Sequence, residues 1–109
     1  MPRYLIQASY TSDAAAAFVS KPQDRTAGIK AIAKKMGGKI VNLDFCLGEY
    51  DVIGIAEFPS DADAAAMSLA VNAPGHLRSY KTTRLLSAAD FLAAQKKASS
   101  ANYKAPAKK

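Results

Sequence analysis

Two runs with the composition of β-strands, residues 39–47 and 52–58, are separated by only four residues, Gly48-Glu49-Tyr50-Asp51. A connection that short joins antiparallel neighbours, since a parallel crossover takes a dozen residues or more. Residues 39–47 alternate, with Val41, Leu43, Phe45 and Leu47 on one side and Ile40, Asn42, Asp44 and Cys46 on the other. That is the pattern of a half-buried strand. Residues 52–58 are apolar on both sides, as in a central strand. Gly48 opens the turn where a positive φ suits glycine.

The rest of the chain falls into place around this hairpin. Residues 3–10, led by Tyr4, Leu5 and Ile6, predict a first strand. Residues 14–19 predict a helical turn capped by Ser12 or Asp13. Ser20-Lys21-Pro22-Gln23 has the spacing of a capping box, with proline inside the first turn. The helix it would open carries Ile29, Ile32, Ala33 and Met36 on one stripe, and Gly37-Gly38 stops it. Ordering such a helix costs about 1–2 kcal/mol per residue in backbone entropy, against about 1.5–3 kcal/mol gained per large side chain buried. It therefore needs a sheet to dock on.

Pro59-Ser60-Asp61 caps a second helix running through Ala73, with Ala62, Ala65, Ala66, Leu69 and Ala73 expected on its buried side. Residues 77–86 predict a fourth strand, with Leu77, Ser79, Lys81, Thr83 and Leu85 alternating against Arg78, Tyr80, Thr82 and Arg84. Ser87 to Asp90 opens a short third helix anchored by Phe91 and Leu92. The order β-α-β-β-α-β is that of a ferredoxin-like α+β fold, a four-stranded antiparallel sheet with its helices on one face. The bare face of a sheet in so small a domain predicts a partner, most simply a second copy packed sheet to sheet.

A chain of 109 residues suits one domain. The expected domain spans residues 1–98, and residues 99–109 form a lysine-rich tail without the apolar content to stay ordered. The formal charge of +6 sits mainly in the last fourteen residues: removing Lys96, Lys97, Lys104, Lys108 and Lys109 leaves +1 for the first 95 residues. With no arginine and one aromatic, the tail offers charge without base stacking, so no specific nucleic-acid partner is expected. No run approaches the ~20 apolar residues of a membrane span, and the N-terminus lacks the features of a signal peptide. A soluble cytoplasmic protein, with no membrane partner, is expected. Cys46 is the only cysteine, which excludes an internal disulfide and a multi-cysteine metal cage.

Five segments carry a family likeness. They are Pro2-Arg3-Tyr4-Leu5-Ile6-Gln7-Ala8-Ser9-Tyr10, Pro22-Gln23-Asp24-Arg25, Gly37-Gly38-Lys39, Gly48-Glu49-Tyr50-Asp51-Val52 and Arg78-Ser79-Tyr80-Lys81-Thr82-Thr83. In this order, from about residue 2 to residue 90, the chain resembles the GYD-domain family of small bacterial proteins. The resemblance implies a ferredoxin-like protomer assembled as a dimeric α/β barrel, and assigns no biochemical role. A similar Gly-x-Tyr-Asp turn occurs in the amino-acid-binding modules of leucine-responsive-type regulators. No helix-turn-helix precedes it here, so a regulator's function is not carried over.

The candidate ligand-binding residues are Tyr50, Asp51, Asp44, His76 and Arg78, with Gly48 as a structural turn residue. Tyr50 offers stacking and Asp51 a hydrogen-bond acceptor; equally, both serve the turn itself. His76, the only histidine, is either a general base or a solvent-facing loop residue. Cys46 reads as a small buried strand residue. Asn42, Asp44 and Cys46, with Arg78, Tyr80, Thr82, Arg84, Gln7 and Ser9, line a polar cavity if these sides converge on the face away from the helices. Otherwise the second and fourth strands are edges with polar sides in water. No phosphate loop, triad spacing or cofactor fingerprint is present, and no metal or cofactor is expected. The leading expectation is a small-molecule-binding homo-oligomer. The alternatives are a cofactor-independent oxygenase or isomerase in the same cavity, and a purely structural oligomerisation module.

Overall fold

The computed structural model describes residues 1–107. The elements are β1 (Arg3–Tyr10), α1 (Ser12–Ser20), α2 (Thr26–Lys35), β2 (Lys39–Phe45), β3 (Val52–Glu57), α3 (Asp61–Asn72), β4 (Leu77–Leu85) and α4 (Ala88–Ser99). All strand pairs are antiparallel, in the order β2-β3-β1-β4. This is the expected ferredoxin-like sheet, with β3 and β1 central and β2 and β4 at the edges. It is open: one chain does not close into a barrel. Residues 100–107 carry no helix or strand, and Lys108 and Lys109 of the expected tail lie outside the described residues.

One face of the sheet carries α2 and α3. Tyr4 and Ile6 of β1, Ala56 of β3 and the following Phe58 meet Ala33 of α2 and Ala64 and Met67 of α3. Tyr4 and Phe58 pack edge to face at 5.7 Å. The buried Tyr4 hydroxyl donates to Asp61 Oδ1 at 2.6 Å, fastening the start of α3 to the sheet, and Arg84 lies over the Tyr4 ring. The α2 stripe is as predicted: Ala33 is buried, and Ile29, Ile32 and Met36 pack on the core.

Other details depart from the sequence pattern. α2 starts at Thr26, because the Ser20 hydroxyl bonds back to Ala17 and ends α1 instead of capping the next helix. α1 is itself capped by Thr11, whose hydroxyl accepts from Ala14 N, and not by Ser12 or Asp13. On α3 the buried side is Ala64, Met67 and the partly buried Val71, while Leu69 is exposed. A helix of mostly alanine gives little phase information, and the larger Met67 decides which side docks.

Two register shifts move Ile40 and Leu77 off their predicted strand sides. Between Ile40 and Asn42 the β2 register slips by one residue, so Ile40 lies opposite Ala56, Leu43 opposite Gly54 and Phe45 opposite Val52, all on the helix side. Asn42 and Asp44 keep the open side, opposite Ile55 and Ile53, and Asn42 Oδ1 accepts from Ile55 N. Arg78 is left unpaired in a second shift, which puts Leu77 opposite Tyr10 and Ser79 opposite Ser9. A bulge adds one residue to one strand and reverses its phase, which strict alternation cannot anticipate.

α4 is longer than expected, and it buries no residue against the rest of the described chain. Ser87 caps it by accepting from Asp90 N, yet Phe91 and Leu92, the expected anchors, are exposed. The radius of gyration is 18.1 Å, against about 13 Å for a compact domain of this length.

Candidate functional site

The Gly-Glu-Tyr-Asp turn is built into the end of β1. Gly48 has φ +117°, a conformation that disfavours any side chain. Ser9, itself buried, donates to the Glu49 carbonyl at 2.8 Å, and Asp51 N donates to Ala8 O at 2.9 Å. Asp51 Oδ2 then accepts from Tyr10 N at 2.8 Å. The Cys46 thiol donates to the Tyr50 carbonyl, so Cys46 belongs to the turn and not to β2. Asp51 thus has a structural task in the turn, one of the two roles that the sequence leaves open for it.

Beside this turn the core is hollow. Tyr4 and Phe58 belong to the packed cluster, and Met67 stands between that cluster and the cavity. Toward the other end the sheet presents Ala8, Val52 and Gly54, and the helices present Gly28 and Ala70. These small residues leave a cavity of about 220 Å³ between sheet and helices, walled by Ile6, Ile29, Ile32, Leu43, Val71 and Tyr80. Arg25, Tyr10, Pro74 and His76 also line it. Tyr10 and Arg25 border a second recess as well, with Phe18, Phe45 and Asp51 among its walls. The two spaces therefore adjoin at Tyr10 and Arg25.

Three polar groups matter chemically. The Tyr80 hydroxyl is buried and has no hydrogen-bond partner among the described residues. Burial pushes its ionisation up to about 12; Thr82 nearby opposes this, but its hydroxyl is not placed to bond. Tyr80 is thus a neutral phenol, a donor without an acceptor. His76 lies against Tyr10 with ring centroids 6.2 Å apart, and its carbonyl accepts from Thr11 N, which fixes the loop. Burial raises the Tyr10 ionisation, Arg25 lowers it and Asp51 raises it.

The Tyr80 shift gives a pH dependence of stability. Below about pH 10 folded and unfolded tyrosine both hold the proton. From there to about pH 12 only the unfolded state releases it, so stability falls by about 1.4 kcal/mol per pH unit on account of this residue. Tyr4 and Tyr10, also raised, act in the same direction. Urea midpoints measured from pH 9 to 11.5 should fall steeply, and less steeply in Tyr80→Phe.

The expected polar constellation does not converge. Asn42, Asp44, Gln7 and Ser9 belong to the open side of the sheet, whereas Tyr80, Thr82 and Arg84 pair on the helix side with Ala8, Ile6 and Tyr4. Of the proposed ligand residues, His76 lines the cavity and Asp51 the adjoining recess; Asp44, Tyr50 and Arg78 line neither. Among the described residues no cluster of three or more His, Cys, Asp or Glu side chains is placed to hold a metal ion. No helix among them is long and apolar enough to cross a membrane.

The GYD-domain family model matches residues 4–94, which include all four strands and every residue of the cavity wall. The chain belongs to the GYD-domain family. No curated protein matches this GYD domain in sequence. Among solved structures it is similar to that of MtbAldR, with a TM-score of 0.55 and 14% identity, over 79% of this chain and 52% of the other. The GYD domain thus spans about half the length of that protein, and the likeness concerns the fold.

Sequence reasoning sought the site on the open face and missed the cavity. Its signal was there in the small residues Ala8, Gly28, Gly54 and Ala70, but it needs the strand register to bring them together.

Proposed function

We propose that this GYD domain binds a small, mainly apolar molecule bearing one hydrogen-bond acceptor, held between its helices and its sheet. The observation that carries this reading is Tyr80: a wall residue of an apolar cavity whose buried hydroxyl lacks an acceptor. A buried donor left unpaired costs about 1–3 kcal/mol, which a ligand oxygen would recover. An apolar cavity of about 150 Å³ accommodates benzene, so this one suits a molecule of on the order of ten non-hydrogen atoms. Ligands of that size bind at roughly millimolar to micromolar levels.

Acetophenone and isopropylbenzene are near-isosteres that differ in the acceptor oxygen. Calorimetry should show acetophenone binding about tenfold more tightly, with the preference abolished in Tyr80→Phe. Ala70→Leu, which fills the cavity, should abolish binding of both while keeping or raising the melting temperature. Equal affinity for the two compounds, or binding undiminished in Ala70→Leu, would remove the reading.

The enzyme reading has one observation in its favour, the placement of His76 in the cavity wall against Tyr10. It requires turnover of a bound compound that His76→Ala abolishes. Binding without turnover leaves the domain a binding module.

A further inference from the structure

We infer that α4 is an arm that docks on a second copy of this chain, completing an interface centred on the open sheet face. Every residue of α4 is exposed, as are the two linking residues before it. The side chains that should hold the helix down are bare: Leu86 is 57% exposed, Phe91 58% and Leu92 51%. Twelve residues are too few for a helix to persist in water on its own. Its local signals are nonetheless complete, with the Ser87 cap, Asp90 in the first turn and Lys96 and Lys97 in the last. These define where the helix starts and stops, but only tertiary contact keeps it formed.

The same chain has a second uncovered surface. On the face away from α2 and α3, the register places Leu5 between Ile55 and Thr83, with Ile53 and Leu85 alongside. Around this apolar centre stand Arg3, Lys39, Asp44, Glu57 and Lys81. An apolar centre within a polar rim is the anatomy of a protein interface, not of a face left in water.

Size selects the occupant. A four-stranded face of this length covers roughly 440 Å², so two such faces bury about 900 Å². That falls just short of the ~1,000 Å² that marks a stable interface. A helix about 18 Å long, laid on the partner from each side, brings the total to about 1,600 Å², the standard size for a specific dimer. The arm leaves from β4, an edge strand, through only Leu86 and Ser87, so it starts at the border of the open face. One arm and one face per chain are satisfied together by a two-fold pair.

The test uses the full chain in analytical ultracentrifugation, from about 1 to about 100 μM. The wild type is expected to be dimeric. Phe91→Asp with Leu92→Asp changes only exposed residues, and is expected to weaken the dimer at least about 100-fold with the sheet signal in circular dichroism retained. Ile55→Glu on the open face should do the same. A wild-type chain monomeric at the top concentration overturns the inference. So does an arm variant whose dimer is as tight as the wild type, since the arm would then contribute nothing to it.

Discussion

Gly38→Ala is expected to destabilise the domain by about 3 kcal/mol or more. A β-carbon at this position would stand 2.2 Å from the Glu57 carbonyl oxygen and 2.5 Å from Cδ1 of Phe58. Neither neighbour can give way. The carbonyl belongs to the backbone of β3, and Phe58 is fully buried among Tyr4, Ala33 and Met67. The chain passes here from α2 into β2, so relief requires moving the helix off the sheet. For a domain whose whole stability is on the order of 5–15 kcal/mol, the loss is large. Urea denaturation measures it. The control is Gly28→Ala, where the nearest atoms are those of the flexible Arg25 guanidinium at 3.5 Å. In the first turn of α2 that change should stabilise, by less than the about 0.5–1 kcal/mol of a helix interior. The same substitution thus has opposite signs at two glycines, decided by what faces the missing side chain. A loss below about 1 kcal/mol at Gly38 would mean that the α2–β2 junction adapts freely.

Gly37-Gly38 is legible in the sequence as a helix stop, but its steric role is not, and the contrast holds across the molecule. Element order, strand polarity and the α2 stripe follow from local pattern. Ile29, Ile32 and Met36 leave only one way to dock, and a four-residue link leaves only one way to pair β2 with β3. What escaped the sequence is information about phase. One extra residue near Val41 and another at Arg78 reversed the sides assigned to Ile40 and Leu77. The alanines of α3 do not distinguish its buried side, which Met67 decides. The candidate site inherits both errors, because it depends on which strand faces meet. Alternation groups Tyr80 with Arg78, Thr82 and Arg84 without saying which face they share, and it stands in the wall of the cavity. His76 could be named as the only histidine, but nothing in its neighbourhood in the sequence places it beside Tyr10.

Asp51→Ala should cost about 2–3 kcal/mol and leave the cavity's ligand affinity within about twofold. The carboxylate accepts the Tyr10 amide at the last residue of β1, where the ladder to β3 has already ended. Its own backbone meanwhile pairs with Ala8 O and Cys46 N. Removing the side chain strands a half-buried donor and frees the turn from β1, and hydrogen bonds to charged groups contribute about 1.5–3 kcal/mol. Asp51→Asn keeps an acceptor oxygen in the same place, so it should cost about 1 kcal/mol or less. That ranking separates a hydrogen-bond clamp from a ligand contact. A ligand contact predicts that both variants weaken acetophenone binding while melting stays near the wild type. A clamp predicts that melting falls in the order alanine, then asparagine, with binding to the folded protein retained. The clamp is the stronger expectation because the four atoms that define it, on Ser9, Tyr10, Glu49 and Asp51, already satisfy one another in the absence of any ligand.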